Sequence, residues 1–226
     1  MRQLQRYLSH IFLISIVFGS HSSYAGFYFE YNGLLESSLQ LEHIKTEFDF
    51  NNYITKTTQD TVNLNWFEPL GTNFHGGIEI GYIDLSINQG ALTAPVFASG
   101  RFAGLLFRYI PINSSRFDSI FSLNYRYFHT KSRENTEIIW HQSRISATLV
   151  YHLAKKWDVH VSADYRTING EQRSTSGAGQ IGEFSAANKE GYRLGINYNI
   201  NRTGQILLEG LGGYQQGARI SFSRYF

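Results

Sequence analysis

The sequence predicts an all-β protein, a transmembrane antiparallel up-and-down β-barrel of about ten strands, with eight or twelve as alternatives. Three observations support this fold class. Most segments of the chain alternate apolar and polar residues at period two, as strands do. The connections between these segments alternate between short and long, which is typical of barrels that cross a membrane. After the first 25 residues, no segment is long and apolar enough to form a spanning helix.

The amino terminus has the pattern of a secretory signal peptide. Two arginines precede an apolar stretch over 11–18, and the small residues Ser23 and Ala25 stand two apart before Gly26. The apolar stretch is far shorter than the roughly 18 to 20 residues that a spanning helix needs. We therefore expect cleavage after Ala25, with a single barrel domain over 26–226.

Composition and motifs exclude several classes of protein. The chain has 226 residues and no cysteine, which excludes a disulfide scaffold, a thiolate zinc site and a cysteine nucleophile. After the predicted signal peptide, 18 basic residues balance 18 acidic residues, so the chain has no electrostatic footprint for nucleic acid. No phosphate loop, His-Glu-x-x-His motif or Gly-x-Ser-x-Gly elbow is present. We expect no cofactor and no metal ion.

The strands follow from runs of alternating residues, with a first strand near 39–50 and two final strands near 205–214 and 218–226. The apolar positions of the clearest runs between them, in chain order, are Val62, Leu64 and Trp66; Ile78, Ile80 and Tyr82; Ala103, Leu105, Phe107 and Tyr109; Phe121, Leu123, Tyr125 and Tyr127; Ile145, Ala147, Leu149, Tyr151 and Leu153; Val159, Val161, Ala163 and Tyr165; Tyr192, Leu194, Ile196 and Tyr198. The segment 26–37 is either a lead-in or part of a longer first strand.

The connections predict which end of the barrel is which. Short connections are expected at 68–73, 111–116, 154–156 and 201–204, and long ones at 86–96, 130–136 and 169–187. Short turns face the periplasm and long loops face outward in such barrels, although the last connection, 215–217, would be a short outer loop. The polar, glycine-rich 169–187 is expected to be a mobile loop and is the candidate contact for an extracellular partner.

Alternation alone does not say whether the apolar face points into lipid or into a protein core. The alternative is a secreted β-sandwich or a lipocalin-like barrel with its apolar face inward. The polar face is rich in Gly, Ser, Asn, Arg, Asp and His rather than Lys and Glu, which suits a lumen. Tyr, Phe and Trp also crowd the strand ends, as the interfacial girdles of a membrane barrel require. These features favour a barrel in lipid.

The final strand carries the closest resemblance to a known family. Ile220, Phe222 and Phe226 stand at alternate positions back from a final phenylalanine, with Arg224 as the one departure. This pattern resembles the assembly signal of small outer-membrane β-barrel proteins of Gram-negative bacteria. The resemblance implies location in the outer membrane among its lipids and lipopolysaccharide, and recognition by the outer-membrane assembly machinery. It implies no activity.

The strand parity predicts a polar lumen. We expect a packed luminal charge network of both signs, because a barrel of this size is narrow enough for side chains to fill it. The predicted network consists of Glu79, Arg126, Arg144, Asp158, His160, Asp164, Arg166 and Arg193. A narrow conducting path is the alternative.

Two clusters of polar residues have the residue types of a catalytic site, but an ordinary structural role is the main interpretation of both. His160, Ser162 and Asp164 share one face, but residues two apart on a strand are about 7 Å apart, too far for a direct relay. Glu137, His141 and Ser143 face outward near the extracellular end of their strand. The His-x-Ser spacing is similar to that of outer-membrane lipid A deacylases, although Arg144 stands where those proteins usually have Asn. A structural or surface-interaction role is therefore expected, with a lipid A acyl hydrolase and a narrow pore as alternatives.

Overall fold

The computed structural model describes residues 34–50, 53–87, 96–132, 136–174 and 181–226, which form eleven antiparallel strands. The strands are β1 Glu36–Phe50, β2 Tyr53–Pro69, β3 Phe74–Ile87, β4 Val96–Asn113, β5 Phe117–Ser132, β6 Thr136–Ala154, β7 Trp157–Ser174, β8 Ile181–Ala186, β9 Glu190–Asn199, β10 Gly204–Gly213 and β11 Gln215–Tyr225. Within these ranges no helix is long and apolar enough to cross a membrane. The predicted signal peptide lies outside the described residues.

Ten of the strands close into a ring, which confirms the predicted fold class. Neighbours in sequence pair from β1 to β7, then β7 pairs with β9, and β11 pairs with β1 to close the ring. The paired residues can be followed around the ring from Glu42 in both directions. The path through β2–β6 arrives at Gln172 on β7, and the path through β11, β10 and β9 arrives at His160 on the same strand. This stagger of twelve residues requires strands tilted by about 40° to the barrel axis.

The strands differ in length, and the longest project past the membrane at one end. Strands β4, β6 and β7 have 18, 19 and 18 residues, whereas β9, β10 and β11 have 10, 10 and 11. A tilted strand needs about 9 to 11 residues to span a bilayer. The start of β1 and the end of β11 pair through Leu35 and Phe226 at the end where the short turns lie, which is the periplasmic end in this class of barrel. The long strands therefore extend outward.

The outer surface of the barrel carries an apolar belt between two aromatic rings. Leu64, Ile80, Leu123, Ile145 and Leu194 are examples of exposed apolar residues in this belt. The ring toward the termini contains Phe74, Tyr109, Phe117, Tyr151 and Trp157, and the opposite ring contains Tyr82, Tyr125, Tyr127, Tyr165 and Tyr192. A belt of this kind, about 25 Å tall with aromatic girdles, is the lipid-facing surface of an outer-membrane barrel.

Beyond the outer tyrosine ring, the polarity of the strands reverses. On β3, Ile83, Leu85 and Ile87 point inward and are buried, while Asp84 is exposed. We call this part of the barrel the extension and its apolar filling the extracellular core. The core consists of Phe48, Ile83, Leu85, Ile87, Val96, Ala98, Phe102, Phe128, Ile138, Trp140, Ile168, Phe184 and Ala186. Outside the bilayer, water wets the outer wall, so apolar side chains are stable only on the inner face.

Aromatic rings fill the extracellular core. Phe128 stacks on Trp140 with ring centroids 4.4 Å apart and on Phe102 at 4.8 Å, while Phe48 stacks on Phe184 at 4.9 Å. The prediction of a packed polar lumen therefore agrees with the structure only in the membrane-spanning part. The outer part of the lumen is mainly apolar, and the buried Thr55, Thr57 and Gln59 of β2 form its polar side.

The segment 169–187 is not the mobile loop that its composition suggests. Strand β7 runs through it to Ser174, and β8 pairs with β7 on one side and with Phe48 and Asp49 of β1 on the other. Residues 175–180 lie outside the described part of the chain. The prediction was wrong for the rest because Phe184 and Ala186 are buried in the extracellular core, and this contact with β1 is distant in sequence.

Strand β8 also changes the number of strands in the wall. The β10–β11 hairpin ends at Gly213 and Tyr214, where Gly213 has φ 80°, a conformation that favours glycine. Above this hairpin, β8 takes its place and pairs directly with β1. The ten-stranded ring of the membrane thus narrows to eight strands, β1–β8, in the extension.

Candidate functional site

The membrane-spanning lumen is filled by charged and amide side chains that strand alternation turns inward. Glu79 on β3 accepts two hydrogen bonds from Arg126 on β5, each 2.7 Å long, and further ones from Asn63 (2.6 Å) and Asn124 (3.1 Å). The pair reaches across β4 at Gly104, where a Cβ atom would lie 2.7 Å from the Tyr125 carbonyl oxygen and 3.2 Å from Arg126 Cγ. A small residue at 104 therefore makes room for this ion pair.

A second group of ion pairs links the first and last strands of the ring. Arg219 on β11 donates to Glu42 on β1 (2.6 Å) and to Glu209 on β10 (2.8 Å). Glu209 also lies 2.8 Å from His160 Nε2 and accepts a 3.2 Å hydrogen bond from Arg193. Arg219 is the centre of this group, since its side chain bonds to two carboxylates on different strands.

Arg193 extends the group to β7. Its guanidinium makes a two-pronged contact with Asp164, with both hydrogen bonds 2.9 Å long. Its neighbour Gly195 leaves space for the His160 ring, because a Cβ at 195 would lie only 2.3 Å from a ring carbon. The sheet is thus shaped so that His160 reaches Glu209.

The periplasmic end of the lumen holds a separate group around Asp158. Asp158 lies 2.8 Å from His152 Nδ1 and accepts hydrogen bonds from Asn197 (3.3 Å) and Asn199 (3.0 Å). His152 also contacts Asp118 through its other ring nitrogen, at 3.2 Å. This group and the pair of Arg108 with Glu36 at 2.6 Å lie nearest the termini.

Two arginines of the predicted network have no carboxylate partner among the described residues. Arg166 is completely buried, donates a 2.5 Å hydrogen bond to Thr46 and lies 4.1 Å from the centre of the Tyr214 ring. Arg144 is 9% exposed and makes no ion pair with any described carboxylate. The structure thus joins Glu79, Arg126, Asp158, His160, Asp164 and Arg193 in ion pairs, and leaves Arg144 and Arg166 outside them.

The predicted network did not include Arg219, Glu209 or Glu42. Glu42 is buried and bonds to Arg219. The signal was present, because Leu39 and Leu41 are apolar positions of the first strand and Glu42 has the opposite parity.

A cavity remains among these side chains in the membrane-spanning lumen. It has a volume of about 200 Å³, and its lining includes Arg144, Arg193, Arg219 and Ser146. The lining continues to Glu36 and Tyr225 near the termini, so the cavity extends toward the periplasm. The extracellular core fills the lumen on its other side.

The outward cluster Glu137, His141 and Ser143 is not assembled as a relay. Glu137 lies 2.5 Å from His129 Nε2, and His141 Nδ1 lies 2.6 Å from the Tyr125 hydroxyl. The hydrogen bond with His129 holds the pKa of the extracellular Glu137 carboxyl below its ordinary value. His141 stands four positions after Glu137, about 13 Å along the strand. The structure therefore gives these two residues different partners.

The residues of the predicted assembly signal share the outer face of β11. Phe222 and Phe226 are exposed on the lipid side, and Ile220 is half-buried there. Arg224, which does not fit the pattern of the assembly signal, places its guanidinium 5.7 Å from the centre of the Phe226 ring. This cation–π contact near the periplasmic rim is a favourable position for its charge. Recognition by the assembly machinery stays a prediction.

Comparison with known proteins shows similarity at the level of the fold. No family model matches the chain, and no curated protein matches it in sequence. The translocator domain of the autotransporter NalP from Neisseria meningitidis is similar in structure, with a TM-score of 0.50, 9% identity, and coverage of 99% of this chain and 96% of that one.

Two further outer-membrane proteins are similar at lower scores. The protease OmpT from Escherichia coli has a TM-score of 0.48 at 9% identity, over 90% of this chain and 97% of that one. OprG from Pseudomonas aeruginosa has a TM-score of 0.46 at 9% identity, over 86% and 97%. The closed ring, its lipid-facing belt and the likeness in fold to the NalP translocator domain show that this chain has the fold of an outer-membrane β-barrel.

Proposed function

We propose that this chain acts at the cell surface as a non-conducting barrel whose extension contacts a protein partner. The reversal of polarity along the strands carries the proposal. A barrel that only crossed the membrane would need no strand residues beyond the lipid belt, yet β4, β6 and β7 continue well past it around a filled core. Rigid elements that stand clear of the membrane are suited to present binding residues.

The far end of the extension has exposed apolar side chains in a region without lipid. Tyr53 and Ile54 at the outer end of β2 are 62% and 60% exposed, and Phe97 at the outer end of β4 is 67% exposed. Large apolar and aromatic residues of this kind commonly form the centre of protein interfaces. The wall below them has charges of both signs, including Lys56, Asp84 and Arg101, which is typical of an interface rim. We assign the contact with the partner to these three apolar residues.

Attachment of producing cells to a surface coated with serum protein tests this proposal. Cells with the wild-type chain should attach in greater numbers than cells without it, and the double variant Ile54→Ser/Phe97→Ser should lose this gain. Leu70→Ser is the matched control, because Leu70 is an exposed apolar residue, 64% exposed, at the periplasmic end. Equal attachment of wild-type, double-variant and non-producing cells would refute the proposal.

A further inference from the structure

We propose that the membrane-spanning lumen binds one small oxyanion, such as phosphate, at Arg144 and that the ion enters from the periplasm. This inference concerns the lumen and is independent of the proposed surface contact. It rests on the charge balance of the lumen, on the free side chain of Arg144 and on the cavity beside it.

The charged groups of this part of the lumen contain one more guanidinium than carboxylates, and His160 beside Glu209 is a further basic side chain. The guanidiniums belong to Arg126, Arg144, Arg166, Arg193 and Arg219, and the carboxylates to Glu42, Glu79, Asp164 and Glu209. A buried charge without a counter-charge is strongly unfavourable in a medium of low dielectric constant. A bound monoanion would balance this part of the lumen.

The acidic group at the periplasmic end does not supply that balance. Asp158 and Asp118 share His152. Asp158 also stands eight residues before Arg166 on β7, about 26 Å along the strand. Arg166 pairs in register with Arg144, so both arginines are too far from Asp158 for a direct ion pair.

Of the two arginines without a carboxylate, Arg144 is the one that can bind a ligand. Arg166 is completely buried against Thr46 and the Tyr214 ring. Arg144 lines the cavity and has no hydrogen-bond partner among the described residues. Arg219 also lines the cavity, and its Nη2 has no acceptor in the described part of the chain. Two donors are thus available beside one cavity.

The size and chemistry of the cavity define the ligand class. Its volume of about 200 Å³ is below the roughly 300 to 1,000 Å³ of sites for drug-sized molecules, so the ligand is small. A guanidinium fork matches the paired oxygens of a phosphate or a carboxylate, and the Ser146 and Ser221 side chains that line the cavity can donate further hydrogen bonds. Because the lining reaches Glu36 and Tyr225 near the termini, the route of entry is periplasmic.

Titration of the refolded full chain with inorganic phosphate tests the site. In phosphate-free buffer, calorimetry should show saturable binding with one phosphate per chain, and Arg144→Gln should weaken the affinity at least tenfold. Arg144→Lys keeps the charge and should retain part of the affinity. The matched control is Arg101→Gln, which removes an exposed arginine of the extension and should bind as the wild type does. A parallel titration with acetate distinguishes phosphate from a carboxylate as the preferred ion.

Thermal unfolding separates binding from a structural role. Without phosphate, Arg144→Gln should melt at or above the temperature of the wild type, because it removes an unbalanced buried charge. Phosphate should raise the melting temperature of the wild type and leave that of Arg144→Gln unchanged. Equal responses of the two proteins to phosphate, or no saturable binding by the wild type, would overturn the proposal.

Discussion

Single residues in the lumen reinforce the closure of the ring, which the backbone pairing of β1 with β11 makes. Arg219 belongs to the last strand and bonds to Glu42 on the first strand and to Glu209 on the tenth. All three side chains are buried. Because a buried carboxylate that loses its partner is left as an isolated charge, the stability of the closure depends on this arginine.

Arg219→Met is expected to lower the free energy of unfolding by about 3 to 5 kcal/mol, since it leaves Glu42 and Glu209 without their shortest arginine contacts. Arg224→Met, an exposed arginine on the same strand, should change it by less than about 1 kcal/mol. Equilibrium unfolding in urea from lipid vesicles measures both values. A similar loss in the two variants would show that the Arg219 ion pairs are not what stabilises the closure.

The pairing of luminal residues was only partly predictable from the sequence. Period-two alternation gives the inward face of each strand, so it could place Glu79 and Arg126 in the lumen. It could not show that they meet, because β4 stands between their strands and Gly104 provides the space. The unpaired state of Arg144 likewise depends on which side chains cross the barrel, and this is set by the stagger of the whole ring.

At the scale of elements, most long strands have two amphipathic halves of opposite phase, whereas β2 keeps polar inward residues, including Thr55, Thr57 and Gln59, to its outer end. On β3 the change falls between Tyr82, which faces outward, and Ile83, which is buried. Two adjacent apolar residues within an alternating run are the sequence signal of this change. The predicted strands agree with the ten strands of the membrane ring because alternation persists through the change, and β8 was missed. The apolar filling of the extension was missed because the inward face of each strand was predicted to be polar from the pattern of its lipid-facing half alone.

Strand β8 shows why composition misled the interpretation of 169–187. Glycine and serine in this segment indicate a loop, yet Phe184 is 4% exposed and packs on Phe48 and Trp140. Phe184→Ala is expected to cost about 3 to 5 kcal/mol and to make 181–186 sensitive to protease added to intact cells. The neighbouring Glu183→Ala, on an exposed side chain, should leave both properties unchanged. Cleavage of the wild-type chain within 181–186 would contradict the placement of β8.

On the scale of the whole molecule, the barrel has a polar lumen in the membrane and an apolar core outside it. The core residues Ile83, Phe128, Ile138 and Trp140 are at most 1% exposed. A tightly packed apolar filling leaves no path for hydrated ions. This arrangement of the described residues supports the proposed non-conducting barrel.

The purified chain is accordingly expected to produce no unitary current steps in a planar bilayer. A shift in gel mobility between boiled and unboiled samples should show that the protein added to the bilayer is folded. Phe48→Gly/Phe184→Gly, which removes two stacked rings from the core, provides a comparison with a weakened filling. Regular current steps from the folded wild-type chain would contradict the closed architecture.

The reversal of polarity also has a consequence for insertion. The apolar residues of the extracellular core can be buried together only after their strands have crossed to the outer side of the bilayer. Once the core has closed, the charged outer wall of the extension would have to enter hydrocarbon for the strands to move back. The extension therefore opposes withdrawal of the strands and makes insertion directional. The driving force is the burial of apolar side chains on the extracellular side of the bilayer.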